Sequence, residues 1–287
     1  MRAHRLALSL AFVFGAGAAC AATVPVHDET GELLATIDNL VRRGDETPQS
    51  AAEAINEMVA KGLAASPLLL RTAVTSIGII DARNGLNAEA MQQVAALTAI
   101  GQSDRLASAA AHVVRAEIEV NGGHGEASYQ QARAALAVYD QLCAPAARQI
   151  LECDYREWWR ALDLAQRGAA DQGNTVVASA YAQTMIDVAR RGKDAPREAI
   201  SLGIAAVQAE GNADSVAANH LIGRAQHIAR ADGSPWVQVR VAVLGGLLHF
   251  KRQQPEAQER DYESALVIAK AAGLKRNAML LRANLSD

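Results

Sequence analysis

The chain has 287 residues, of which 50% are hydrophobic but only 4% aromatic, and its formal net charge is −3. An apolar fraction of this size is enough for a buried core, and a core poor in aromatic residues but rich in alanine favours packed helices, because alanine has the lowest intrinsic cost in a helix. The sequence contains no block of basic residues, which argues against a nucleic-acid-binding surface.

The N-terminus has the three-part pattern of a secretory signal peptide. Arg2 and Arg5 form a basic start, residues 6–14 are an apolar run, and small residues follow. We expect cleavage after Ala21 or Ala22, which would place the mature protein in the periplasm or outside the cell.

Lipidation of Cys20 is the alternative interpretation of this N-terminus, but Gly17 stands where lipoprotein signals usually carry leucine. The apolar run is shorter than the roughly 20 residues that a transmembrane helix needs. No later stretch of the sequence is longer, so we expect no membrane span in this chain.

The rest of the sequence is punctuated like a series of helices. Residues 23–45 predict a poorly ordered segment and a first helix, because TVPVHDETGE has little to bury. Over residues 46–287, prolines precede apolar segments of helical periodicity and glycines follow them, as expected at helix starts and ends. The prolines are Pro48, Pro67, Pro145, Pro196, Pro235 and Pro255. No alternating pattern competes, so the predicted fold is all-α.

Two cysteines would remain after cleavage, Cys143 and Cys153. A zinc site is disfavoured because no histidine stands nearby at ligand spacing, and a redox site is disfavoured because the spacing is much longer than C-x-x-C. An isolated pair in an oxidising compartment favours a disulfide. A continuous helix would hold the two Cα atoms about 15 Å apart, so the chain must double back between them, near Ala144 and Pro145.

A pair of tryptophans follows the second cysteine. Trp158 belongs to an apolar stripe of helical spacing and is predicted to lie in the core. Trp159 is one position away, between Arg156 and Arg160. An indole flanked by guanidinium groups could stack against a ligand or partner, or it could pack against the next helix, and the sequence leaves both open.

The C-terminal half repeats with a fixed period. Ala189, Ala229 and Ala269 are separated by 40 residues each, and the helices before the last two carry Leu-Gly at 202–203 and 244–245. Helical pairs of constant period are typical of a solenoid, in which neighbouring pairs bury each other's apolar faces.

The segment DYESALVIAKAAG, at residues 261–273, resembles the second helix of a tetratricopeptide repeat. The resemblance extends from about residue 105 to the end, although the period is nearer 40 than 34, the large first-helix aromatic is usually missing, and glycine replaces the closing proline. It implies a right-handed α-solenoid of antiparallel pairs whose first helices line a concave surface. We therefore add Arg115 and Glu119, on one face of such a helix, to Arg156, Trp159 and Arg160 as candidate binding residues.

A secreted region of this type looks like the periplasmic sensor portion of tetratricopeptide-containing diguanylate cyclases. The sequence has no GGDEF motif, so the resemblance does not carry cyclase activity to this chain. It also lacks the nucleophile, metal-protease and phosphate-loop motifs. His220 and His227 could share a helix face but have no third ligand nearby. We expect no catalytic residue, no metal and no cofactor.

Two functions remain open at this point. The chain could be a non-enzymatic sensor that binds a protein, a peptide or a small ligand in its concave groove, as the input region of a cyclase-type signalling protein. It could instead be a constitutive envelope scaffold without ligand sensing.

The C-terminal segment, at residues 274–287, predicts another first-type helix. Met279, Leu280, Ala283 and Leu285 stand at its apolar positions, and no second helix follows to cover them. Uncovered ends of repeat arrays tend to associate. We therefore expect either a longer parent sensor, a partner, or self-association through this helix that polar substitutions of Leu281 and Leu285 would weaken.

Overall fold

The computed structural model describes residues 29–61, 66–144 and 153–286. The predicted signal peptide, residues 23–28 and Pro145 lie outside these ranges. Within them the chain forms thirteen α-helices and no strand: α1 Glu29–Gly44, α2 Pro48–Ala60, α3 Pro67–Arg83, α4 Asn87–Ile100, α5 Arg105–Asn121, α6 Gly125–Cys143, α7 Tyr155–Asp171, α8 Thr175–Arg191, α9 Ala195–Gly211, α10 Ser215–Asp232, α11 Pro235–Lys251, α12 Pro255–Ala271 and α13 Lys275–Asn284. The all-α prediction is confirmed.

Consecutive helices pack as antiparallel pairs, an arrangement consistent with a helical repeat. The odd-numbered helices α3, α5, α9 and α11 also contact the next or previous odd-numbered helix. None of the helices in the described ranges is long and apolar enough to cross a membrane.

From α7 onward the repeat is regular in length. Each helix begins 20 residues after the one before, at residues 155, 175, 195, 215, 235, 255 and 275. The residue with positive φ in each connection follows the same step: Gly173, Lys193, Ala213, Gly233, Gln253 and Gly273. A pair therefore spans 40 residues, which agrees with the period seen in the sequence.

Side-chain caps at the helix N-termini keep the same step over the first four of these helices. Asp154, Asn174, Asp194 and Asp214 each accept a hydrogen bond from a backbone N–H in the first turn that follows. Such caps satisfy amides that have no partner within the helix. They fix where each helix starts and so maintain the spacing of the repeat.

Small residues allow the close approach of neighbouring helices. Ala189, Ala229 and Ala269, the residues that define the sequence period, are all buried. A Cβ on Gly203 would lie 2.7 Å from Cδ1 of Leu244, and one on Gly246 would lie 2.2 Å from Cε1 of Tyr262. The prediction that glycine in these helices permits tight packing is confirmed at Gly203.

The cysteine pair lies where the regular spacing is interrupted, between α6 and α7. Cys143 is the last residue of α6, and Cys153 precedes α7 by two positions. Their sulfur atoms are 2.08 Å apart and their Cα atoms 5.7 Å apart, so the predicted pairing is confirmed. Trp158 is buried, as predicted, and its Nε1 donates to Asp140 Oδ1 on α6 at 3.0 Å.

The C-terminal helix divides its apolar residues between two surfaces. Ala278 and Leu281 pack on α12, and Leu281 is only 2% exposed. Met279 and Leu280 are 62% and 52% exposed. The choice of Leu281 as a surface position was therefore wrong, because that side chain belongs to the core.

Three contacts join the N-terminal helix region to helices far along the chain. Asp38 pairs with Arg197 on α9, the Arg42 guanidinium lies 5.4 Å from the ring centre of Trp236 on α11, and the Glu46 carboxylate accepts from the backbone N–H of Arg276 on α13 at 3.0 Å. We call these the closing contacts, because they bring the first helix against the last three odd-numbered ones.

Candidate functional site

An interior cavity of about 300 Å³ lies among the odd-numbered helices, and all seven of them contribute to its wall. Ligand pockets in proteins begin at about this size. The lining residues are Asp38, Val41, Arg42, Asp45, Arg83, Glu117, Val120, Asn121, Trp159, Arg160, Asp163, Arg167, Pro196, Arg197, Ile200, Trp236, Arg240, Arg276, Asn277 and Leu280.

The wall of the cavity is strongly charged. It carries seven arginines and four carboxylates, an excess of three positive charges. Each carboxylate has an arginine partner: Asp38 pairs with Arg42 and Arg197, Asp45 and Glu117 pair with Arg83, and Asp163 pairs with Arg167.

The deep end of the cavity is formed by α1, α7 and α9. Arg197 donates through both terminal nitrogens to the buried carboxylate of Asp38, and its guanidinium lies 5.4 Å from the ring centre of Trp159. The Trp159 indole N–H donates to Ser201 Oγ at 2.8 Å, which fixes the ring. Burial raises the pKa of Asp38, but the charges of Arg197 and Arg42 outweigh it and hold this pKa well below its ordinary value.

A second ion pair crosses the wall between α3 and α5. Arg83 Nη2 donates to Glu117 Oε1 at 2.9 Å. Burial raises the pKa of Glu117, but the facing charges of Arg83 and Arg160 hold it below its ordinary value. Glu117 is therefore a carboxylate at neutral pH.

Three arginines of the wall have no carboxylate partner. Arg160 and Arg240 form neither a hydrogen bond nor an ion pair with any residue in the described ranges, and Arg160 Nη1 is fully buried. Burial and the repulsion of Arg83 lower the pKa of Arg160 to about 10. Arg276 donates from Nη1 to the backbone oxygen of Arg83 at 2.8 Å, which leaves its charge uncompensated.

The cavity is open at one end and closed at the other. Asp38, Trp159 and Arg197 are buried at the closed end, whereas the side chain of Arg167 is 40% exposed and Leu280 is 52% exposed. The opening therefore lies beside α7 and α13.

A second, much smaller cavity of about 30 Å³ adjoins the closed end, and Arg160, Asp38 and Val41 line both. Beside it, the fully buried Arg71 contacts Glu157 at 3.1 Å and Asp104 at 2.9 Å. Burial raises the pKa of Glu157, against the lowering effect of Arg71. This network joins α3 to α7 and supports the closed end.

The residues predicted as binding candidates fall in three places. Trp159 and Arg160 line the interior cavity. Arg156 lines the small cavity and pairs with Asp154 at 3.2 Å. Arg115 and Glu119 lie on α5 outside the lining of the interior cavity, and Glu119 pairs with His124 at 2.9 Å.

Several lining residues were missed, although the sequence period contains a signal for them. Arg160, Ile200, Arg240 and Leu280 are each the sixth residue of an odd-numbered helix, and all four line the cavity. Pro196, Trp236 and Arg276 are second residues of such helices and also line it. A register anchored on the capping residues would have selected both sets.

Comparison with models of known protein families and with curated protein sequences found no significant match to this chain.

Proposed function

We propose that this protein is an extracytoplasmic, non-enzymatic binding module that holds a small ligand in the interior cavity. The observation that carries the proposal is the cavity itself, which is lined by all seven odd-numbered helices and has unpaired guanidinium groups in its wall. A buried charge without a partner costs stability. Its presence in a cavity with an opening is expected when a ligand supplies the partner.

The extracytoplasmic part of the proposal rests on two features. The N-terminal sequence has the pattern of a signal peptide, and the paired cysteines are typical of proteins that fold in an oxidising compartment. We further propose a tetratricopeptide-like right-handed solenoid, because helical pairs of constant length support that arrangement.

The biological role that fits these features is sensing, as the input region of a diguanylate cyclase-type signalling protein. The closing contacts support this role, because a ligand bound among α1, α9, α11 and α13 would act on both ends of the array at once. A ligand that binds only the closed arrangement would stabilise it.

Native mass spectrometry of the chain released from the periplasm by osmotic shock tests the proposal. We expect the wild type to carry a small-molecule adduct that the cavity-filling variant Val120→Phe lacks. Val176→Phe is the matched control, since Val176 is exposed on α8, and it should retain the adduct.

A constitutive scaffold is the competing function. It predicts a protein partner that co-purifies equally with the wild type and with Val120→Phe, and no small-molecule adduct on either. That outcome would replace the binding module by the scaffold.

A further inference from the structure

The uncompensated charge of the interior cavity is concentrated in three residues. Arg160 lies toward the closed end, Arg240 lies on α11, and Arg276 lies at the start of α13, so three different helices present the charges to one space. The four carboxylates of the wall are already paired and cannot neutralise them without breaking other ion pairs.

Guanidinium groups in this arrangement have a defined preference. They bind carboxylate and phosphate oxygens with two parallel hydrogen bonds, which are among the strongest that side chains form. Arg160 Nη1 is buried and without a partner, so it is a hydrogen-bond donor that a ligand oxygen would satisfy.

Resting on the function proposed above, we propose that the ligand is a compact oxyanion with two or three negative charges, carried on carboxylate or phosphate groups. A monovalent anion would leave most of the excess charge uncompensated, whereas two or three charges match it. A neutral ligand would leave all three guanidinium groups without a counter-charge.

The size of the cavity limits the ligand further. A volume of about 300 Å³ equals the share of roughly ten water molecules in the liquid. Succinate, citrate, phosphate and pyrophosphate fit such a space, whereas a folded peptide or a nucleic acid does not. Trp159 and Trp236 give part of the wall an apolar surface, which suits a short carbon skeleton between charged groups.

Calorimetric titration and thermal unfolding of the full chain test the proposal, with succinate, citrate, phosphate and pyrophosphate as probes and chloride at matched ionic strength as the control. We expect at least one oxyanion to bind and to raise the melting temperature beyond the chloride effect. The pattern across the four probes distinguishes a carboxylate ligand from a phosphate ligand.

Arg160→Gln, Arg240→Gln and Arg276→Gln should each weaken binding about tenfold or more, because each removes a charged hydrogen bond. Arg230→Gln changes an exposed arginine on α10 and should bind like the wild type. Arg160→Gln and Arg240→Gln should also raise the melting temperature of the ligand-free protein, since each removes an unpaired charge from the wall. A structural role for these arginines predicts the opposite change.

Val120→Phe fills the cavity without touching a charge and provides a second test if an arginine variant does not fold. Loss of oxyanion binding in this variant supports the site. The proposal is overturned if no oxyanion acts beyond chloride, or if oxyanions bind the arginine variants and Val120→Phe as tightly as the wild type. If the native adduct persists while every oxyanion fails, the binding module stands and only the ligand class is wrong.

Discussion

At the scale of single residues, the sequence identified the chemistry of Trp159 and Arg160 but not their partners. Their neighbours along the chain pointed to a stacking site for a ligand, and both side chains line the interior cavity. The Asp38–Arg197 pair joins residues 159 positions apart. No local pattern contains that information, because the pair forms only after the intervening helices have stacked.

The Asp38 pair makes a prediction about pH. Its ion pairs depress the folded-state pKa, so the stability they supply is complete above the unfolded-state pKa of about 4 and is lost as the pH falls toward the folded-state value. Asp38→Asn should therefore lower the free energy of unfolding at pH 7 by about 3 kcal/mol, because it leaves Arg197 partly uncompensated. Urea unfolding at pH 7 and pH 3 measures this.

The difference between Asp38→Asn and the wild type should shrink at pH 3, where the native carboxylate approaches protonation. Asp187→Asn, on the exposed side of α8, is the control and should be close to neutral at both values. An Asp38→Asn effect that is constant from pH 7 to pH 3 would contradict the ion-pair account.

At the scale of helices, most of the architecture could be predicted, because proline, glycine and apolar spacing act locally. Pro48, Pro67, Pro235 and Pro255 are first residues of helices, as their positions in the sequence indicated. The capping residues at 20-residue intervals were equally local and were overlooked. What could not be predicted was which face of each odd-numbered helix points to the cavity, since charged residues are common on solvent-exposed faces too.

Two glycines in helices should respond to the same substitution with opposite signs. Gly246→Ala would place a Cβ 2.2 Å from Cε1 of Tyr262, so it should lower the free energy of unfolding by about 1–3 kcal/mol. Gly223→Ala adds a Cβ in open space on α10 and should raise it by up to about 1 kcal/mol. Chemical denaturation of both variants decides this, and equal effects would show that helix propensity, not the tyrosine contact, dominates.

The disulfide gives a second prediction at this scale. The double variant Cys143→Ser/Cys153→Ser should be less stable than the wild type by about 2–3 kcal/mol, because the bond restricts the unfolded chain over a ten-residue separation. Intact mass after alkylation without reductant should find no free thiol on periplasmic protein. Reduction of the wild type should reproduce the loss, and two alkylated thiols on native protein would refute the pairing in the cell.

At the scale of the whole molecule, the closing contacts connect parts of the chain that the repeat alone would keep apart. Glu46→Ala removes the carboxylate that accepts from the Arg276 backbone N–H. We expect faster amide hydrogen exchange in both α1 and α13, since each then loses a contact to the other end. Exchange in α7 and α8 is the internal control and should not change, and an increase confined to the loop around Glu46 would argue against coupling.

Self-association through α13 remains a proposal, and the structure selects better residues to test it. Met279→Gln changes a side chain that is 62% exposed and outside the cavity lining, so it should weaken any self-association without unfolding the helix. Leu281→Gln should instead destabilise the packing on α12. Sedimentation velocity across a concentration series measures the first effect, and a wild type that stays monomeric throughout would remove the proposal.

The closing contacts also limit how this protein can evolve. Arrays built from identical-length units usually grow or shrink by duplication and deletion of a unit, because each unit touches only its neighbours. Here an added 40-residue unit between α7 and α13 would fold well locally, yet it would carry Arg276 away from Glu46 and Trp236 away from Arg42. Natural variants should therefore accumulate substitutions freely on the outer helices while the number of units stays constant.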